Sequence, residues 1–244
     1  MAAPGDDADP GRAYGAAMTT TTPPTTAPIA TPDPRASLTE RVFAAIYDPF
    51  LWLGERRGMH ARRRELLAQA RGLTVEIGGG TGLNVALYPD EVDRLVLAEP
   101  DAAMRARLER RLERAHRSGS AIGAPAEQLP FAEGSVDTVV STLVLCTVED
   151  PRGALREIAR VLAPDGQLLF IEHVRGHSRL RARWQDRLEA PWRAFAGGCR
   201  CNRPTLSLMA ESGFELDVAE DAWRGMPAIV RPLAYGRASR RDDA

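Results

Sequence analysis

Lysine is absent from this 244-residue chain; all 32 of its basic residues are arginine. That excludes chemistry needing a side-chain amine, including Schiff-base catalysis and the lysine of a phosphate-binding P-loop. Cysteine is scarce. Cys146, Cys199 and Cys201 are too few, and odd in number, for a disulfide framework, which suits a reducing cytoplasm. Cys199 and Cys201 form a lone C-x-C with no second pair at zinc spacing, so they read as ordinary thiols and no metal is expected. An excess of charge is missing as well. The formal net charge of −1 offers no general field for nucleic acid or an anionic membrane. No run approaches the roughly 18–20 apolar residues of a membrane span, and the N-terminus lacks a charged region followed by an apolar one, so no secretion signal is expected.

What is present fits one globular domain. Hydrophobic residues make up 44% and charged residues 27%, ordinary values for a chain able to hold one α/β structure of about 200 residues. Residues 1–36 are rich in Ala, Pro, Thr and Asp and bury too little apolar surface to offset their ordering entropy, so they are expected to form a disordered tail. The domain is expected over 37–238, with a short C-terminal tail at 239–244.

At Ser37 the pattern changes. Ser37-Leu38-Thr39-Glu40 has the form of a capping box, followed by the apolar set Val42, Phe43, Ile46 and Tyr47. Pro49 is expected to interrupt this helix, and a second should cover Met59–Ala70. Strands are expected at Leu73–Ile77, Arg94–Ala98, Ser120–Gly123, Val136–Leu143 and Gln167–His173. Between them fall helices at Leu83–Tyr88, Asp101–Arg117 (with Asp101 as N-cap) and Pro151–Leu162. Helices at Arg179–Ala196 and Thr205–Ser212 and strands at Phe214–Ala219 and Leu233–Ala238 complete the series. Regular β-α alternation with nearly continuous apolar strands predicts a doubly wound α/β fold, its mostly parallel sheet covered by helices on both faces.

Val75-Glu76-Ile77-Gly78-Gly79-Gly80-Thr81-Gly82 ends the first strand and opens a helix. Dinucleotide enzymes use a similar turn, but their G-x-G-x-x-G fingerprint is not met here: the third glycine falls one position early and Leu83 takes its place. Glu76 before the loop would repel a pyrophosphate. It suits a cationic ammonium group, such as the amino-acid end of S-adenosylmethionine. Glu99, at the tip of the next strand, is placed to accept both ribose hydroxyl protons. Its plain alternative is a helix N-terminal charge favoured by the macrodipole.

These residues resemble class I S-adenosylmethionine-dependent methyltransferases, and the likeness continues. Ala124-Pro125-Ala126-Glu127-Gln128-Leu129-Pro130-Phe131 resembles the segment lining the adenine, Ser135–Val140 the fourth strand, and Arg156–Gly166 the helix and turn before the fifth. The resemblance spans roughly Phe43 to Ala238 and implies a seven-stranded Rossmann-like sheet with S-adenosyl-L-methionine as cofactor. It implies a cofactor site at Glu76, Gly78, Gly79, Gly80, Thr81, Gly82 and Asn84, at Glu99, Pro100 and Met104, at Ala126 and Glu127, and at Thr142 and Leu143. Pro125 stands where many such enzymes carry an aspartate for the adenine amino group, so backbone near Ala126 or the Glu127 side chain must serve. Gly79 replaces a residue that is often cysteine or alanine.

A narrower likeness lies in Thr142–Val148, Glu172-His173-Val174, Pro191-Trp192 and Gly198-Cys199, similar to the methyltransferase-like family that includes animal alkyl-thiol S-methyltransferases and bacterial relatives. It implies a small-molecule acceptor such as a thiol or hydroxyl compound. Animal members carry an N-terminal membrane anchor not expected here. His173, ending the fifth strand, is expected to orient or deprotonate the acceptor, against the plainer reading of a histidine bonded to a neighbouring loop. Cys146 reads as a small buried hydrophobe. Trp184, Trp192 and Phe195, interleaved with arginines, read as a packed helix with a solvated face, as a lid over the acceptor, or as a peripheral membrane contact that would favour a lipid or quinone. The arginines of 105–117 read as solvent-exposed rather than nucleic-acid binding. Two alternatives stay open: N-methylation of phospholipid head groups, suggested by Tyr47-Asp48-Pro49, and a non-catalytic cofactor-binding protein.

Overall fold

The structure is a computed structural model describing residues 37–241; the tail expected at 1–36 lies outside them. Five parallel strands, β1 (Leu73–Ile77), β2 (Arg94–Ala98), β3 (Ser120–Ile122), β4 (Val136–Thr142) and β5 (Leu162–His173), join β6 (Phe214–Ala222) and β7 (Pro232–Arg240) in one sheet. The order is β3-β2-β1-β4-β5-β7-β6, with β7 antiparallel to both its neighbours. The direction of winding therefore reverses between β1 and β4, and a ligand crevice opens beyond the carboxyl ends of strands at such a point. β1 and β4 are buried almost throughout, as strands covered on both faces must be. The two cores flanking the sheet are built on Val75, Ile77, Val139 and Phe170 on one side and on Leu97, Val140, Leu169 and Ile171 on the other.

Six helices complete the fold: α1 (Leu38–Gly54), α2 (His60–Leu67), α3 (Ala102–Arg114), α4 (Pro151–Val161), α5 (Arg179–Phe195) and α6 (Thr205–Glu211). The capping box forms: Ser37 Oγ accepts from Glu40 N at 3.2 Å while Glu40 Oε2 accepts from Ser37 N at 2.6 Å. Asp101 caps α3, accepting from the backbone of Ala103 and Met104.

Pro49 does not interrupt α1. A proline costs a helix one hydrogen bond, but burial of Ala44 and Leu51 on either side of it holds the helix together. The break comes later, where Arg57 and Gly58 leave helical geometry and Gly58 takes φ +123°. The helix expected at Leu83–Tyr88 is one 3₁₀ turn, Val85–Leu87. α3 stops short of Arg117, with His116 at φ 49°. β5 begins at Leu162 rather than Gln167 because Leu162 pairs with Val136 ahead of a bulge, and β7 runs to Arg240, two residues past the expected end. No described helix is long and apolar enough to cross a membrane.

Candidate active site

β1 delivers the chain into the glycine loop. Gly78 and Gly80 both sit at φ +55°, a region costly for residues with a Cβ. A Cβ at Gly78 would also stand 2.5 Å from Val144, so the loop packs directly against the chain leaving β4. A Cβ at Gly80 would meet only Gly78 O, at 3.9 Å, so the cavity is bordered there by bare backbone. Glu99 at the tip of β2 ties the loop to α3: it accepts from Gly80 N at 2.8 Å and from Asp101 N at 2.9 Å. Burial pushes its pKa up, and these two N–H groups oppose the shift. Each carboxylate oxygen keeps a lone pair beyond these bonds. α1 closes over the loop, Asp48 accepting from Thr81 Oγ1 and from Arg111 Nη2 at 2.8 Å.

Beyond these strand ends lies a cavity of about 590 Å³. Nine of the expected cofactor residues line it: Gly78, Gly80, Glu99, Pro100, Met104, Ala126, Glu127, Thr142 and Leu143, together with His173. Leu143 holds φ 63° with its N–H on Ile171 O, a strained non-glycine position at the end of β4, which stops at Thr142. Such strain often marks functional sites.

Gly79, Thr81, Gly82, Glu76 and Asn84 are not on the cavity wall. Glu76 is held in a buried network behind that wall. It is 1% exposed, and its carboxylate accepts from Asn84 Nδ2 at 2.9 Å and from Tyr88 Oη. Asn84 also donates to Thr142 Oγ1 at 3.0 Å and accepts from Arg63 at 3.1 Å. A carboxylate on a central strand must be satisfied internally, so Glu76 stands behind the wall, linked to it through Asn84 and Thr142. Burial raises its pKa to about 7. Gly79 backs onto Leu108, and Thr81 is turned to Asp48.

Much of the remaining cavity wall is apolar and aromatic, with Phe43, Phe50, Trp192, Phe195, Trp223 and Met226 on it. Phe50 of α1 meets Phe195 of α5 edge-on at 5.4 Å. Of the aromatic set on α5, Trp192 and Phe195 reach the cavity, while Trp184 lies off it and is half exposed. The arginines of α3 are more engaged than a solvated face implies: Arg105 donates to Glu99 O and Arg111 to Asp48.

Sequence reasoning missed what organises this wall. Glu172, fully buried beside His173, accepts from Ser141 Oγ at 2.7 Å, from Val144 N and Leu145 N at 3.0 Å each, and from Cys146 N at 3.3 Å. It thereby fixes the turn after β4. From the other side, Arg203 donates to the carbonyls of Leu145 and Val148. Burial raises the pKa of Glu172 against these donors. Cys146 is buried as expected, but its Sγ stands 3.8 Å from that of Cys199 and both residues line the cavity. A sulfur–sulfur hydrogen bond joins the two thiols, and it pushes the pKa of Cys146 well up while lowering that of Cys199. His173 stacks on Trp223 with ring centres 5.6 Å apart. Desolvation lowers its pKa to about 4, so the imidazole is neutral near pH 7. Only the pairing of Glu172 with His173 at a strand end hinted at any of this.

Comparison with known proteins decides the family. Residues 75–170 match the family described as "Methyltransferase domain". Thiol S-methyltransferase TMT1B of Rattus norvegicus is 35% identical over 74% of this chain and 79% of its own length. Thiol S-methyltransferase TMT1A of Homo sapiens is 31% identical over 80% and 82%. This chain is a class I S-adenosylmethionine-dependent methyltransferase related to TMT1A and TMT1B. The fold agrees: the N-methyltransferase NodS of Bradyrhizobium japonicum, solved with S-adenosyl-L-homocysteine, superposes with a TM-score of 0.62 at 21% identity, over 84% of this methyltransferase and 97% of NodS.

Proposed function

We propose that this methyltransferase transfers its methyl group to the sulfur of a small apolar thiol. The observation that carries this reading is a single cavity with two unlike sets of lining residues: glycine backbone and Glu99 in one, aromatic side chains with Cys146, His173 and Cys199 in the other. The naming of its relatives as thiol S-methyltransferases supports the same reading.

For the cofactor, Glu99 accepts the ribose hydroxyls, the backbone at Ala126 and the Glu127 side chain meet the adenine, and Gly78, Gly80 and Thr142 border the amino-acid moiety. Glu76 acts there through Asn84 and Thr142. S-adenosylmethionine supplies an electrophilic methyl group on a sulfonium. The residues of this chain have mainly to hold the acceptor in line and out of water, which supplies about 7–11 kcal/mol. A general base adds about 3–5 kcal/mol, and a thiol, already a few per cent ionised near neutrality, needs little of it. With a pKa near 4, His173 is too weak a base to take a thiol proton efficiently at pH 7, so it orients the acceptor instead. The three free cysteines are in keeping with a reducing cytoplasm.

A panel of alkyl thiols, phenols and phosphatidylethanolamine with labelled cofactor tests the assignment; turnover on the lipid alone would reject it. Leu38, Val42 and Trp52 on α1, with Leu180 and Trp184 on α5, expose apolar surface, which favours peripheral membrane contact and an apolar acceptor arriving from lipid. Cosedimentation with anionic vesicles, and its loss in Trp52→Asp, tests that contact.

A further inference from the structure

Three side chains from distant segments converge on the cavity wall. Cys146 follows β4, His173 ends β5, and Cys199 lies in the turn after α5. One ligand-type atom from each lies within 4.8 Å of the other two, and all three residues are buried. From their arrangement we propose that Cys146, Cys199 and His173 form a zinc site whose fourth position opens into the cavity and takes the sulfur of the acceptor. The thiolate role rests on the thiol reading above; the metal site itself does not.

Two zinc–sulfur bonds of about 2.3 Å at the tetrahedral angle place the sulfurs about 3.8 Å apart. The two Sγ atoms stand at 3.8 Å. A nitrogen ligand belongs about 3.6 Å from each sulfur, so closure requires only that His173 move in by roughly 1 Å. The ligand set is soft and borderline, as zinc prefers, and three protein ligands with one open position is the pattern of reactive rather than structural zinc. Two thiolates and a neutral imidazole balance the charge of Zn²⁺, which a buried position demands.

A second observation comes from the buried polar atoms. Among the described residues, those without a hydrogen-bond partner are His173 Nδ1, Trp192 Nε1 and Trp223 Nε1, and all three residues line this same cavity. Orphaned groups of this kind are uncommon and call for an explanation. A bare S–H···S bond between the cysteines accounts for the sulfur spacing but leaves His173 Nδ1 unpartnered; a metal would take that nitrogen, while the two indole N–H groups play no part in it. The backbone of each ligand is pinned besides. Glu172 holds Cys146 N, Thr205 Oγ1 donates to His173 O at 3.0 Å, and Cys199 N donates to Ala196 O at 3.2 Å. These bonds fix where each ligand's main chain stands, and so the points from which the three side chains reach one another. Sequence spacing gave no sign of the site because no two of its ligands are neighbours in the chain.

The chemistry balances. An acceptor R–SH gives up its proton to water on binding zinc and is held as a thiolate. A sulfur lone pair then forms the new carbon–sulfur bond as the sulfonium carbon–sulfur bond breaks, leaving R–S–CH₃ and S-adenosylhomocysteine. A neutral thioether is a poor zinc ligand and departs.

The test uses the whole protein, stripped with a chelator and titrated with Zn²⁺ and, separately, Co²⁺. One metal per chain is expected. The cobalt form should show the intense visible bands of a tetrahedral site with sulfur-to-cobalt charge transfer, and an added alkyl thiol should shift them. Cys146→Ser and Cys199→Ser should each weaken metal binding by about 100-fold while S-adenosylhomocysteine affinity, which reports the fold, is retained. Wild-type protein that binds S-adenosylhomocysteine yet takes up neither metal overturns the site, as does a Cys146–Cys199 disulfide in active enzyme. Undiminished thiol turnover in metal-free protein overturns the proposal and leaves thiol methylation standing. A thiol-dependent cobalt shift without turnover upholds the site and rejects thiol methylation.

Discussion

Removal of the Glu172 side chain should unfasten the turn that builds the acceptor wall. Its carboxylate accepts from Ser141 Oγ and from the backbone of Val144, Leu145 and Cys146, all of it buried. In Glu172→Ala four donors lose their acceptor, at about 1–3 kcal/mol each if nothing else relaxes. Two effects offset this: the variant no longer buries a carboxylate, and water can enter the space vacated. The net cost should be about 3–5 kcal/mol, a large share of a typical domain stability of about 5–15 kcal/mol. Glu172→Gln separates charge from hydrogen bonding. One amide oxygen can replace Oε1 for Ser141, Val144 and Leu145, while the amide nitrogen opposes only the weaker Cys146 contact, so about 1–2 kcal/mol is expected. Urea unfolding followed by circular dichroism gives both numbers, provided the transition slope is unchanged. Less than about 1 kcal/mol for the alanine variant, or equal costs for both, would refute the reasoning.

Glu99→Ala should weaken S-adenosylhomocysteine binding by at least about tenfold, equivalent to about 1.4 kcal/mol; calorimetry on folded variant decides, and unchanged affinity rejects the ribose contact. Gly78→Ala places a Cβ 2.5 Å from Val144 at φ +55° and should cost about 2–4 kcal/mol along with cofactor affinity; a melting temperature and affinity equal to wild type would show that the loop has room. Glu76 carries a folded-state pKa of about 7 against an ordinary 4.5. The folded chain binds the proton more tightly than the unfolded one, so this group's penalty is absent below about pH 4.5, grows as pH rises, and reaches about 3 kcal/mol above pH 7. The stability of Glu76→Gln relative to wild type should therefore improve by about that amount across the same window, measured by denaturant titration at several pH values; a pH-independent difference would argue against a buried, reluctant carboxylate.

Local signals carried far in this chain. The capping box at Ser37, the N-cap at Asp101 and the apolar strands depend on neighbours in sequence and appear where expected. Element ends were less legible: Pro49 sits inside α1 because burial around it outweighs one lost hydrogen bond, and β5 starts early because Leu162 finds Val136.

The sequence by itself determined the glycine loop after the first strand, the acidic tip at Glu99 and hence the cofactor class, since each is a short stretch whose chemistry is set by its own residues. Only the tertiary structure decided that Glu76 stands behind the wall rather than on it, and that Glu172, Arg203, Cys146, His173 and Cys199 meet at one place. The reason is physical. A carboxylate satisfied by Asn84 and Tyr88, or a thiol set 3.8 Å from another 53 residues away, depends on which strand ends are brought side by side, and no local periodicity encodes that.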